Sequence, residues 1–150
     1  MTVVGVHIRK ITAEKNIESE ASKVGINNNI TVKDVKERDF LFGTAKQKGL
    51  RFVFAFTCQY TPDVGNIDME GDVLYLGEEE QAKKLLKEWS DKKQLPGEVM
   101  ESVLNSALNK CNIEAIKVSQ DINLPSPIPL PRIQRKEAQQ QQAPREINYF

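Results

Sequence analysis

The stretch Ile122–Ile133, INLPSPIPLPRI, limits what this chain can fold into more than any other. Proline stands at four of its twelve positions, 125, 127, 129 and 131. Each proline fixes φ, removes a backbone donor and steers the preceding residue away from the α region. The stretch is therefore extended, close to polyproline II, and it cannot be an inner strand of a sheet. Yet Ile122, Leu124, Ile128, Leu130 and Ile133 are too apolar for an idle linker. Two readings follow: a strap that clamps the domain's own helices, or a strap that borders a groove for an apolar or extended partner.

The half of the chain before the strap is rich in strand patterns. Val4, Val6 and Ile8 alternate with Gly5, His7 and Arg9, which predicts a half-buried strand over Val3–Lys15 with a break or bulge near Ile11. Ile17–Gly25 is polar and weakly patterned, and Asn27, Asn28 and Asn29 read as a turn. Ile30, Val32 and Val35 predict a second strand, Ile30–Asp39, that slips phase once. Phe40, Leu41 and Phe42 are apolar again, and Thr44–Gly49 reads as a turn into the next strand, although this stretch could pair differently. The clearest strand is Leu50–Tyr60, where Leu50, Phe52, Phe54, Phe56, Cys58 and Tyr60 form one face. Its other face carries Val53 and Ala55, so the strand is central or packs at an oligomer interface on its second side. After a turn at Thr61–Asn66, Ile67–Leu76 alternates again and completes a long antiparallel hairpin. Gly71 sits within its apolar set, which predicts a bulge or close packing.

Two helices follow. Glu78, Glu79 and Glu80 open the first, Glu78–Lys93, at the end where negative charge is favoured. Ala82, Leu85, Leu86 and Trp89 give its buried stripe. Pro96 and Gly97 separate it from Glu98–Ala115, whose apolar face runs from Val99 and Met100 to Cys111. Ile113–Val118 is either the last turn of this helix or a short strand. The fold class is thus α+β: a four-stranded antiparallel sheet, two helices, then the proline-rich extended strap. Residues 1–133 form one domain. Residues 134–150, with their glutamine run and Pro144, have the composition of a disordered polar tail.

Composition excludes several roles. Lys+Arg and Asp+Glu are both 21 in 150 residues, so a formal net charge of zero argues against nucleic-acid binding by broad electrostatics. No apolar run is long enough to span a membrane, and the N-terminal pattern is not that of a signal peptide, which points to the cytoplasm. Cys58 and Cys111 belong to no CxxC pair and read as buried free thiols. With a single histidine, His7, neither a zinc site nor a hydrolytic triad has support. Asp68, Glu70 and Asp72 share one strand face and could hold a divalent cation, but their ordinary reading is the wet face of a strand. The alternating phenylalanines could stack bases, but apolar residues on the strand's reverse favour core packing beneath the helices. No catalytic residue, cofactor or metal is expected.

The element order, together with INLPSPIPLPRI, resembles the SecB-like superfamily of preprotein chaperones, with this chain as a distant, archaeal-type member. The resemblance covers about Val3–Ile133. It implies an oligomer built by sheet packing that binds unfolded or extended polypeptides in apolar grooves, without nucleotide or catalysis. On that resemblance Phe42, Leu124, Pro125, Ile128 and Leu130 are candidate groove residues, and Trp89 contributes from the helix side. The chain departs from the family in its second helix before the proline stretch, its zero net charge and its lack of a cysteine-rich zinc-binding end. The alternative function is a structural adaptor or scaffold subunit with one fixed protein partner.

Overall fold

Leu50, Phe52, Phe54, Phe56, Cys58 and Tyr60 are all buried, and that one alternating row fixes which face of the sheet is covered. The computed structural model describes residues 2–18, 23–131 and 133, with the side chains of Phe42, Ala45 and Lys46 outside the described set. Four antiparallel strands, β1 (Thr2–Lys15), β2 (Gly25–Phe42), β3 (Ala45–Thr61) and β4 (Gly65–Leu76), form one sheet in the order β1-β4-β3-β2. The helices α1 (Glu79–Lys92) and α2 (Gly97–Asp121) cover one face: α1 lies over β2 and β3, and α2 lies chiefly over β1 and β4. The expected α+β arrangement, four strands followed by two helices and an extended strap, is what the chain adopts.

Ile67, Met69, Val73 and Tyr75 of β4 join the β3 row in the core. Gly71 belongs to the same row because nothing larger fits: a Cβ there would meet the His7 carbonyl of β1 and the Phe54 ring of β3. The irregularity expected near Ile11 appears as a register shift between Ile8 and Lys10, and that of the second strand as a shift between Val32 and Asp34; β1 carries a further, unexpected shift between Val3 and Gly5.

Two local expectations are corrected and one open alternative is resolved. Asn27, Asn28 and Asn29 are not a turn; they lie in β2 opposite Gln59, Cys58 and Thr57. The pairing offered by the long β3 outweighs the turn preference of asparagine. Thr44–Gly49 is not a turn either, because β3 begins at Ala45. Gly43 and Thr44 alone join Phe42 to Ala45, and Gly43 takes the positive φ of 64° that a two-residue hairpin loop demands. Finally, Ile113–Val118 is helix, and α2 runs on to Asp121. Val99, Val103, Ala107, Cys111, Ala115 and Ser119 are all buried at four-residue spacing, a ridge of modest side chains that lets the helix lie close on the sheet.

The end of α2 launches the strap. Asn123 adopts φ 56°, its N–H donates to the Gln120 carbonyl, and the Leu124 N–H donates to the Ser119 carbonyl at 2.8 Å. These are the two bonds of a Schellman cap, with asparagine in place of the usual glycine. The chain reverses there and the prolines keep it from resuming a helix.

Candidate functional site: the groove beside the proline strap

The strap crosses one end of the sheet on its helix-covered face, meeting the strands in their spatial order. Lys15 of β1 donates from Nζ to the Asn123 carbonyl at 3.0 Å. The Leu124 side chain packs over Gly65 at the start of β4, where a Cβ would come within 3.2 Å of it. The Tyr60 hydroxyl of β3 donates to the Pro125 carbonyl at 2.6 Å, and the Asn28 amide of β2 donates to the Pro127 carbonyl at 3.0 Å. Three strand spacings are roughly 14 Å, and four residues of polyproline II cover about 12 Å. An extended proline-rich segment therefore matches the span that it bridges.

Beyond Pro127 the strap leaves the core. Ile26 of β2 with Pro125, Ser126, Ile128, Pro129, Leu130 and Pro131 lines a groove of about 760 Å³ at the β2 edge. Ile26 is 36% exposed and Leu130 46% exposed, so the groove offers apolar side chains to whatever enters it. Its strap wall carries no charge. The wall is held in place from beneath, by Tyr60 and Asn28, and locally by the Ser126 hydroxyl, which donates to the Ile128 carbonyl at 2.6 Å. Burial, with a smaller effect from Cys58, raises the Tyr60 phenol above its ordinary range, so at neutral pH it remains the donor this bond requires.

The residues singled out from sequence divide here. Pro125, Ile128 and Leu130 line the groove. Leu124, only 6% exposed, belongs to the core and not to the groove wall. Trp89, 7% exposed, lies on the buried face of α1 and is absent from the groove lining. Phe42 closes β2, and its side chain lies outside the described residues. Ile26 and Asn28 are not among the residues expected from sequence, because the asparagine run reads locally as a turn. The alternation Ile26, Asn28, Ile30 was the available signal, and it places all three on the strap side of β2.

A larger hollow, about 930 Å³, opens at the opposite end of the sheet among Thr2, Asp39, Gln47, Lys48, Glu78 and Glu79. It is polar. Lys48 lies 3.1 Å from Glu79 and 3.4 Å from Glu37, and hydrogen bonding to both raises its ammonium above the ordinary lysine range. An apolar chain gains less there than beside the strap.

Neither the carboxylates nor the cysteines form a reactive constellation. Asp68, Glu70 and Asp72 lie on the open face of the sheet. Asp72, 5% exposed, pairs with Arg9 at 3.1 Å and has Arg51 at 3.9 Å. Among the described residues no group of three metal-ligating side chains converges. Cys58 and Cys111 are free and buried, and Phe52, Phe54 and Phe56 are wholly buried, beyond reach of a base. No helix among the described residues is long and apolar enough to cross a membrane.

Comparison with solved structures shows a distant structural similarity. No protein-family model matches the chain, and no curated protein matches it. Among solved structures, the chain is similar to the Mycobacterium tuberculosis Rv1957 SecB-like chaperone, solved in complex with a ChAD peptide from the Rv1956 HigA1 antitoxin. The match covers 90% of this chain and 91% of that one, with 13% identity and a TM-score of 0.49. Values this low carry no functional argument. The match, to a mycobacterial protein, says nothing of an archaeal-type affiliation.

Proposed function

We propose that the chain binds unfolded or extended apolar polypeptide segments, chaperone-like and without chemistry, in the groove between Ile26 and the strap. The observation that carries this reading is an uncharged apolar wall, fixed by two long-range hydrogen bonds, with Ile128 half-covered and Leu130 exposed at its rim. Leaving such side chains in water costs free energy that a bound segment recovers. The test is suppression of aggregation of several unrelated unfolded proteins by the wild type and by Ile128→Ser and Leu130→Ser. Suppression by the wild type, weakened in folded variants, is expected. Retention of one stable partner and no general suppression would instead mark a structural adaptor.

The same reading places the protein in the cytoplasm as a homo-oligomer through its sheet. Two free buried thiols suit a reducing compartment. Val53 and Ala55 are half-buried on the face that no helix covers, which a second sheet would cover fully.

A further inference from the structure

The edge strand β2 is built in two unlike halves. Residues 25–31, GINNNIT, carry no charge, and residues 25–29 are exposed. Residues 33–39, KDVKERD, carry six charges in seven positions. The boundary between the halves coincides with the register shift between Val32 and Asp34. In the charged half the edge is blunted further, because the Val35 N–H is taken by the Asp34 carboxylate at 2.9 Å. Charges and a bulge are the ordinary means by which a sheet edge is protected from pairing. The uncharged half has none of these devices, and it is the half that the apolar strap groove adjoins.

We propose that residues 25–31 accept an extended peptide as a fifth strand, antiparallel or parallel to β2, with alternate side chains falling into the strap groove. The proposal rests on the groove reading above and specifies its ligand. The occupant is an uncharged segment in which every second residue is apolar. Side chains on the helix-covered side meet Ile26, Ile30 and the strap residues Ile128 and Leu130. Those on the other side lie beside Asn27, Asn29 and Thr31. Main-chain pairing supplies affinity independent of sequence, and the groove supplies the preference for alternate apolar residues. Seven residues of edge plus a few side chains bury less than the roughly 800 Å² per partner of a stable protein–protein interface. The area therefore suits a transient peptide rather than a second copy of this chain paired edge to edge.

The experiment measures fluorescence anisotropy of the full-length protein with a labelled nonapeptide of alternating valine and threonine, and with two versions of it. One is N-methylated at the odd residues, the other at the even residues. Strand addition predicts that one methylated peptide binds at least tenfold more weakly while the other binds within about threefold of the parent, because only alternate amides face β2. Asn29→Lys, which sits outside the groove lining, is expected to weaken the parent peptide at least tenfold. Equal binding of both methylated peptides with no effect of Asn29→Lys would overturn strand addition and leave the groove reading intact. No binding of any peptide would overturn both. A dimer of the wild type that Asn29→Lys dissolves would show the edge to be occupied by a second copy, and would also overturn the proposal.

Discussion

Replacing Tyr60 with phenylalanine removes one oxygen from a side chain that is 2% exposed, and with it one of the bonds that tie the strap to the sheet. A hydrogen bond of this kind contributes about 0.5–1.5 kcal/mol net, and a buried group left without its partner costs about 1–3 kcal/mol. Pro125 is exposed, so water can reach the carbonyl that loses its donor. The expected loss for Tyr60→Phe is therefore about 1 kcal/mol, or about 3 °C in Tm for a chain of this size. Urea unfolding at pH 7 should show a lower midpoint with an unchanged m value.

The pH dependence gives a sharper version. Burial chiefly, then Cys58, raises the folded-state pKa of Tyr60 above its ordinary value. A raised pKa means stability that is complete below the unfolded value near 10 and is lost as pH climbs toward the folded one. Above about pH 10 the unfolded chain has released a proton that the native chain still holds, so this phenol withdraws about 1.4 kcal/mol of stability per pH unit. Tyr60→Phe lacks that loss. The wild-type advantage of about 1 kcal/mol should hold from pH 7 to 9, shrink above pH 10 and vanish near pH 11. Tyr75, whose phenol is also raised by burial, is common to both proteins and cancels in the difference. A difference that stays constant from pH 7 to 11, or one below about 0.3 kcal/mol at pH 7, would refute the assignment of Tyr60 as a buried donor to the strap.

Three further outcomes separate core from rim. Leu124→Ala should cost about 2–4 kcal/mol in urea unfolding, whereas Ile128→Ser and Leu130→Ser should each stay within about 1 kcal/mol; equal costs would place the whole strap in the core. Gly71→Ala should destabilise by about 1–3 kcal/mol or block folding, because its methyl meets the fixed backbone of β1; a neutral result would contradict the close β1–β4–β3 packing. Burial pushes the Cys111 thiol up to about 12, so at pH 8 it should react with a thiol reagent on the order of a thousandfold more slowly in the native protein than in urea, and Cys58, raised by burial as well, should also be slowed. Rapid native labelling of either would show that it is not buried.

Sequence reading located the elements whose side chains repeat on a single period. The row from Leu50 to Tyr60 announces β3 because both neighbours and helices press on it. Gly71 stood out as the one gap in an apolar row, and the space there is filled by β1 backbone. The asparagines of β2 were misread because local preference favours a turn, and the pairing that overrides it comes from residues 57–59, about thirty positions away. The last turns of α2 were ambiguous because their buried residues, Ala115 and Ser119, are too small or polar to register as a hydrophobic stripe. Of the residues that line the groove, Pro125, Ile128 and Leu130 stand out in the sequence as part of the apolar proline strap, and their assignment to a groove comes from the family resemblance. Ile26 does not stand out, since a single isoleucine beside three asparagines acquires meaning only when the strap is laid across it.

The crossing geometry explains why the strap is made of prolines. A backbone that runs across strands, rather than along them, has no ladder to satisfy its N–H groups. Proline at 125, 127, 129 and 131 deletes four donors at the crossing and beyond it. The carbonyls of Pro125 and Pro127 remain, and the sheet supplies a donor for each, from Tyr60 and Asn28. Two of the strap's carbonyls are thereby paired where it meets the sheet. Burial along the strap is anchored at two points, Leu124 and Pro127, with Pro125 exposed between them, and beyond Pro127 it fades through half-buried Ile128 to exposed Leu130. The clamp and the groove border are therefore not rival descriptions of one segment. The first half of the strap closes the core over β4 and β3, and that anchoring holds the second half rigid at the β2 edge with its apolar side chains uncovered. A flexible segment of the same hydrophobicity would collapse onto Ile26 and fill the groove itself; fixed φ at alternate residues opposes that collapse.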